Sequence, residues 1–257
     1  MMRRGPALRR VLKPLGWALL AGALLGALPH TSSAGPSVTL SLGDEEGSGN
    51  VASTLQIVAL LTILSLAPAL VLMVTAFTRI IIVLGFLRQA MSTQQMPPNP
   101  VLIGLALFLT VFVMAPVWSQ INQDALQPYL RGEVEVGEAV SAGVVPLREF
   151  MLAQTREKDL ALFQSLSKRE KPESPRELAM DVIVPSFMIS ELRTAFQMGF
   201  ILYLPFLIID MVVASVLMSM GMLMLPPVMI SLPFKILLFV LADGWYLVVR
   251  SLVSSFL

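Results

Sequence analysis

Long apolar stretches alternate with polar segments along the chain. The first, residues 51–87, spans 37 residues and carries one charge, Arg79. A straight helix of that length would extend about 55 Å, whereas the hydrocarbon core of a bilayer is about 30 Å thick. The stretch is therefore predicted to break, tilt or leave the bilayer, with Pro68 as the expected break or kink. Arg79 indicates that the residues after it lie beyond the hydrocarbon or face protein.

A polar, proline-rich segment follows Arg88 and precedes the second apolar stretch, residues 101–117. Polar residues with three prolines at 92–100 predict a turn between two antiparallel helices, so residues 51–117 form a first membrane hairpin. If the N-terminus is translocated, this turn is cytoplasmic, and Arg88 agrees with the positive-inside tendency.

Residues 124–181 differ from the rest because they carry 11 acidic and 8 basic residues in 58 positions. Such a segment lies in water, and alternation of spans places it on the translocated side. Leu147, Phe150 and Met151 recur at helical spacing, and residues 174–177 (SPRE) resemble a helix-capping box. The sequence predicts a mostly helical extracytoplasmic insertion over residues 118–185.

Residues 186–257 predict a second membrane hairpin. Its first arm carries Glu191 and Arg193 near its start. Its last stretch, residues 228–257, is expected to be one apolar helix with its charges on roughly one side; they are Lys235, Asp243 and Arg250. Charges at this depth normally face a bundle interior or a wet cavity. The alternative is that Lys235 and Arg250 extend to the two membrane interfaces.

Between these two arms, residues 217–227 (LMSMGMLMLPP) combine four methionines, one glycine and two prolines. Unbranched thioethers adapt to irregular surroundings, and the two prolines oppose a regular helix. The composition predicts a soft, non-helical loop, which at membrane depth must be buried by protein or line a cavity. One interpretation is a deformable constriction; the other is that the methionines fill gaps in a helix-packing surface.

Composition supports a multi-span membrane protein, since the mean hydropathy is +0.78 and 14% of residues are charged. Five basic residues within positions 1–13, an apolar run over 15–28 and the small residues ending at Ala34 predict a signal peptide over residues 1–34. An uncleaved first helix is the alternative. Residues 35–50, rich in glycine, serine and acidic residues, are expected to be a flexible segment.

Several chemistries are not indicated by the sequence. Without residues 1–34 there are 13 basic and 17 acidic residues, a net charge of −4, so no nucleic-acid partner is expected. Cysteine is absent, the only histidine is His30, and no phosphate-loop, dinucleotide or zinc-protease motif occurs. We therefore expect no enzyme, no cofactor and no metal. Asp210 and Asp243 could form an aspartyl dyad, but structural ion pairs are the favoured interpretation.

Three long blocks, in order, closely resemble the FliP/SctR family of type III secretion export-gate proteins. They are residues 77–110 (with FTRIIIVLGFLRQA at 77–90 and QQMPPN at 94–99), 184–200 (VPSFMISELRTAFQMGF) and 225–245 (LPPVMISLPFKILLFVLADGW). The resemblance covers essentially residues 51–257, and a signal peptide fits the flagellar branch of the family.

The resemblance implies an all-α membrane protein with two helical hairpins, of kinked and proline-broken helices, flanking the insertion. It implies a homo-oligomer, pentameric by resemblance, that assembles with FliQ and FliR around a central pore and works with FlhB and FlhA. The expected location is the inner membrane, in the flagellar basal body, with exposure toward the periplasm. The cargo would be unfolded flagellar proteins.

Family members carry a methionine cluster on the loop that closes the pore. Here the cluster maps to Met222, Leu223 and Met224, with Met218 and Met220 nearby. Leu223, where some relatives have a third methionine, is a departure that keeps the loop apolar but less adaptable. Charged residues are expected to lock the assembly, within one copy or between copies; these are Arg79, Glu191, Arg193, Lys235 and Asp243.

Two other function classes compete with a protein-export gate. A small-solute or ion transporter would use Asp210, Lys235 and Asp243 as a binding site beside broken helices. The inverted repeat expected of that class is not evident when residues 51–117 are compared with residues 186–257. An intramembrane protease would lack its catalytic groups.

Overall fold

A computed structural model describes residues 48–93, 95–169, 174–222 and 224–257. Every regular element within these ranges is a helix, which confirms the all-α prediction. The predicted signal peptide and residues 35–47 of the predicted flexible segment lie outside the described residues.

The first apolar stretch forms two helices rather than one. Helix α1 (Ser48–Met73) is followed by a short break and then by α2 (Phe77–Ala90). The hydroxyl of Thr75 donates to the Leu72 carbonyl at 3.1 Å and so satisfies one of the carbonyls left free where α1 ends. The expected break therefore exists, but it lies at residues 74–76. A break at Pro68 does not occur, because α1 continues past that residue, and a kink there stays a prediction.

The second helix of the first hairpin is longer than its apolar pattern indicated. Helix α3 (Asn99–Ile121) begins after Pro98 and continues through a π-helical turn (Asn122–Leu126) into α4 (Gln127–Leu130). The helical run thus covers 32 residues. Helices α2 and α3 pack against each other, as predicted for a hairpin.

The polar segment is helical, as its spacing predicted. It contains α5 (Val136–Gln154), α6 (Glu157–Leu166) and a 3-10 turn (Pro175–Glu177). Met151 of α5 is fully buried in a small core that includes Phe187. The predicted cap at Ser174 is confirmed, since its side chain accepts a hydrogen bond from the backbone N–H of Arg176.

Helix α7 (Met180–Ser219) is the element on which four other helices pack. Its 40 residues correspond to about 60 Å at 1.5 Å per residue. It starts inside the polar segment and continues nine residues past the acidic residue Asp210. Helices α2, α5 and α6 pack along it, and so does α8 (Pro227–Leu241).

The last apolar stretch is bent, so the prediction of a single helix over residues 228–257 is wrong. Helix α8 is followed by α9 (Gly244–Ser254), and the two meet at 65°. Asp243 adopts a left-handed backbone conformation (φ +50°), which interrupts the helix. At Gly244 a Cβ would lie 2.2 Å from the ring of Phe239, so only glycine permits this close approach. Lys235, Asp243 and Arg250 therefore do not share one side of a continuous helix.

The described helices match an all-α membrane protein. Three of them are long and apolar enough to cross a membrane, namely Thr54–Met73 within α1, the run Asn99–Leu130 and α7, and the bent pair α8 and α9 is a fourth candidate. From Thr54 onward no side chain of α1 is buried, and large apolar residues such as Leu60 and Leu64 are about two-thirds exposed. Such faces require lipid or further protein as cover.

Candidate functional site

The methionine loop (residues 218–227) includes the last two residues of α7, which ends sharply at Ser219, and the first residue of α8. Gly221 has a φ of +74°, and the N–H of Met222 donates to the Leu217 carbonyl at 3.0 Å. The N–H of Gly221 donates to the carbonyl of Met218, also at 3.0 Å. These two bonds form a Schellman motif, which ends α7 and turns the chain. Pro226 then caps α8 and Pro227 is its first residue. Proline suits this position because the backbone N–H that it lacks would have no partner within the helix.

The methionines of this loop are directed away from their own chain. Met224 is 95% exposed, and Met218, Met220 and Met222 are exposed to lesser degrees. Leu223 lies outside the described residues. A methionine that filled gaps in the packing of this chain would be buried, so the gap-filling interpretation does not hold within one copy. The sulfur-bearing surface is available to something outside the protomer.

An apolar groove runs beside the loop between α7 and α8. Its volume is about 470 Å³, and its walls are almost entirely aliphatic or aromatic. The lining includes Ile209, Val213, Val216, Ile230 and Phe234. Groove and loop together form a continuous apolar region at one end of the α7–α8 hairpin.

Arg79 is the centre of a buried polar cluster, here called the Arg79 cluster (Arg79, Gln154, Glu191, Ser255, Phe256). Its Nε donates to Glu191 Oε2 at 2.9 Å, and its Nη2 donates to the other carboxylate oxygen. Its Nη1 donates to the carbonyl and hydroxyl of Ser255 at 2.9 and 3.0 Å. Nη2 also reaches Gln154 Oε1 at 3.0 Å. The guanidinium lies 3.8 Å from the ring centre of Phe256.

This cluster joins four parts of the chain. Arg79 belongs to α2, Gln154 to α5 and Glu191 to α7, whereas Ser255 and Phe256 follow α9. Arg79 is 2% exposed and Glu191 is fully buried, so neither charge is compensated by water. The planar guanidinium suits this task because its donors form a rigid fork. Arg79 thus faces protein, as its position in an apolar stretch predicted.

Lys235 forms a second buried cluster, the Lys235 cluster (Ala90, Ser92, Asp210, Ser231, Lys235). Its ammonium donates to Asp210 Oδ2 at 2.6 Å, to the Ser92 hydroxyl at 2.6 Å and to the Ala90 carbonyl at 3.1 Å. All three of its donors are therefore satisfied. Ser231 donates to the second oxygen of Asp210 at 2.5 Å. Lys235 is fully buried and does not extend to an interface, which excludes that alternative for this residue.

The remaining predicted charges lie elsewhere. Arg193 is exposed on α7, and Asp243 is exposed at the break between α8 and α9. Within the described part of the chain, neither belongs to an ion pair, so the Lys235 partner is Asp210 and not Asp243. Asp210 accepts from the Lys235 ammonium and the Ser231 hydroxyl. This agrees with the ion-pair interpretation and not with an aspartyl dyad of Asp210 and Asp243.

A third polar cluster was not indicated by the sequence. Asp159 of α6 is 8% exposed and accepts a hydrogen bond from Ser190 at 2.5 Å. The Ser190 hydroxyl also accepts from the backbone N–H of Arg156 at 3.1 Å. This cluster fixes the start of α6 on α7 near the Arg79 cluster. Its only sequence signal is the acidic residue in the first turn of a helix.

Among the residues that the structure describes, no group of histidine and acidic side chains could hold a metal ion. In each of the three polar clusters the charged group is bound by partners within the chain. The loop, by contrast, is exposed and apolar. This exposed apolar surface is open to contact with lipid or with further protein.

Comparison with known proteins decides the family. Residues 60–252 match the FliP family. This chain belongs to the FliP family. Three relatives, each called flagellar biosynthetic protein FliP, come from Bacillus subtilis (strain 168), Caulobacter vibrioides and Aquifex aeolicus (strain VF5). Their identities are 60%, 51% and 49%, over 80%, 93% and 86% of this chain. The matches cover 94%, 89% and 92% of the respective relatives. The FliP-family assignment confirms the resemblance found in the sequence.

Removing Arg79 should strongly destabilise this FliP-family chain. Arg79→Met leaves Glu191 as a buried charge without a partner, at a cost of about 3–5 kcal/mol. The double variant Arg79→Met, Glu191→Gln should recover part of that loss, because the orphaned charge is gone. Thermal unfolding in detergent measures both. Arg131→Met, which breaks only the exposed pair with Glu133, should have little effect; equal losses for Arg79 and Arg131 would contradict the account.

Removing Lys235 should disrupt the contact between α8 and the turn after α2. Lys235→Met removes the cation that pairs with Asp210 Oδ2 and the donor to the Ala90 carbonyl, so both stability and assembly of the complex should fall. The complex recovered by size-exclusion chromatography measures the effect. Lys158→Met, which removes an exposed lysine of α6, is the matched control. Unchanged assembly of the Lys235 variant would refute its role.

Proposed function

We propose that this chain is a subunit of the flagellar type III protein export gate. Several copies, together with FliQ and FliR and in contact with FlhB and FlhA, would form a central pore for unfolded flagellar proteins. The methionine loop would close the pore at rest. The observation that carries the proposal is an exposed, methionine-bearing loop on a chain of the FliP family.

The chemistry of the loop supports a seal that can deform. Methionine is unbranched and polarizable, so its side chain repacks around groups of different size. A ring of such side chains excludes water and ions by dewetting when it is empty. An unfolded polypeptide presents side chains of every size, so an adaptable apolar surface suits its passage better than a rigid one.

The exposed apolar surface of the protomer supports assembly with other chains. One loop of this size cannot enclose a channel, so a pore requires several copies. The groove lined by Val213, Ile230 and Phe234 lies beside the loop, where a neighbouring subunit would cover it. Arg193 and Asp243 are exposed charges that are available for pairing across copies.

The gate would make and break no covalent bond. Phosphate-loop and dinucleotide motifs are absent from the sequence, so the energy for transport would come from partner proteins or from the membrane potential. The chain would act as a conduit in the inner membrane, within the flagellar basal body, with residues 118–185 on the periplasmic side.

Shortening two methionines of the loop should make the closed gate leak. In Met222→Ala, Met224→Ala, the loss of apolar volume from each copy should raise the resting conductance of small ions through the assembled complex in planar bilayers. Met211→Ala is the matched control, because Met211 is 65% exposed on α7 outside the loop. Unchanged conductance of the double variant in a fully assembled complex would count against the seal.

The rival is a transporter of small solutes. Its proposed site residues Asp210 and Lys235 bind each other in the described structure, and Asp243 stands apart at the helix break. Binding of a small solute by the isolated chain would favour this rival, whereas recovery of a large homo-oligomer with partner subunits would favour the gate.

A further inference from the structure

Helix α9 presents two unlike faces. Gly244, Val248 and Leu252 recur every four residues and are buried against the core. The opposite face carries a shallow, open depression, here called the α9 groove (Trp245, Tyr246, Val249, Arg250, Val253). Nearly all of the groove wall is apolar, and the one charged group is a guanidinium at its side.

The bend before α9 holds this face in position. Trp245 packs edge-on against Phe239 of α8, with ring centres 5.4 Å apart, and Gly244 allows the close approach behind it. Trp245 still leaves 40% of its surface exposed. With 11 residues, α9 is about 16 Å long, which is too short to cross a bilayer. The helix lies at a fixed angle of 65° to α8 instead of continuing it.

The far end of α9 lies against the polar segment. Ser255 and Phe256, which directly follow the helix, contact Arg79, and Gln154 of α5 donates to the Phe256 carbonyl at 3.2 Å. The near end of α9 continues from the apolar helix α8. Helix α9 thus runs from the apolar helix α8 to the polar segment. In a chain whose apolar helices lie in lipid and whose polar segment lies in water, this position corresponds to the lipid headgroups.

The residues of the α9 groove are of the types that occur at the level of the lipid headgroups. Tryptophan and tyrosine are enriched at membrane interfaces because their rings are apolar with a polar edge. Tyr246 is 57% exposed. Arg250 is exposed, and it makes no ion pair or hydrogen bond with any part of the chain that the structure describes. An unpaired guanidinium beside an apolar groove complements a phosphate that carries an acyl chain.

We propose that the α9 groove binds an anionic phospholipid of the surrounding bilayer. Arg250 binds the headgroup phosphate, Trp245 and Tyr246 lie at the level of the glycerol backbone, and an acyl chain follows Val249 and Val253. Bound lipid would fix the depth of α9, and through Ser255 that of the Arg79 cluster. This role does not depend on the proposed closure of a pore.

Lipid binding is tested by titrating the detergent-solubilised complex with phosphatidylglycerol or phosphatidylcholine and counting bound lipid by native mass spectrometry. Phosphatidylglycerol should bind more tightly, and Arg250→Gln should weaken its binding about fivefold, the effect of one basic residue worth about 1 kcal/mol at an anionic membrane. Arg250→Lys should retain most of the binding. Arg131→Gln removes the same charge from the polar segment and should change nothing. Equal binding of the two lipids, or no loss in Arg250→Gln, would overturn the proposal.

A second measurement uses the native Arg250. In the full chain with Trp17→Phe and Trp118→Phe, Trp245 is the only tryptophan, and its fluorescence reports depth in reconstituted vesicles. Spin labels at shallow positions of the acyl chain should quench it more than labels near the bilayer centre. Equal quenching at both depths, or none, would refute interfacial placement. If quenching vanishes once copies associate, the groove is a protein interface and the lipid proposal is wrong.

Inorganic phosphate presents to Arg250 the same anionic group as the lipid headgroup. Inorganic phosphate added to the phosphatidylglycerol complex should leave the bound lipid in place, because it lacks the acyl chain that fills the groove. Displacement of the lipid by phosphate alone would assign the site to a soluble anion and overturn the proposal.

Discussion

Two buried cations near opposite ends of α2 determine how the helices of this protein pack. Arg79 and Ala90, whose carbonyl receives Lys235, are 11 residues apart, which is about 16 Å along a helix. A charge removed from water must be paired, or the fold loses several kcal/mol. At one end Arg79 requires Glu191 of α7 and the residues after α9; at the other, Lys235 of α8 requires Asp210 of α7. Because the Arg79–Glu191 and Lys235–Asp210 pairs must form together, the helices have little freedom to slide past one another. The α7–α8 hairpin is therefore held in one register.

The methionine loop contrasts with this frame. It is held at its base by a Schellman motif and two prolines, and Lys235 anchors α8 two turns further on. Beyond these attachments its four methionine side chains are exposed. Few internal contacts and a fixed base describe a segment that can change shape without unfolding its neighbours. Helices held by buried ion pairs, joined by an exposed apolar loop, suit the proposed gate, which must deform and then close again.

Much of this arrangement could be predicted from the sequence, but the partners of the buried charged residues could not. The helices, the polar segment, the cap at Ser174 and the burial of Arg79 followed from local patterns, and the methionine, glycine and proline content of residues 217–227 predicted a loop there. The position of the break at residues 74–76 did not follow from a local pattern. Neither did the bend at Asp243, where a left-handed backbone precedes the close approach of Gly244 to Phe239. The Asp210 partner of Lys235 lies on another helix, and spacing along one helix led to Asp243 instead. Ser255 and Gln154 were missed because tertiary contacts have no periodic signal.

The central claim is that the methionine loops of several copies meet on the axis of a pore. Electron cryomicroscopy of the complete export complex, purified with its partner subunits in the resting state, tests this most directly. The account predicts that Met222 and Met224 from every copy surround the axis and occlude it. A map in which these side chains face acyl chains at the periphery, away from any central opening, would contradict it.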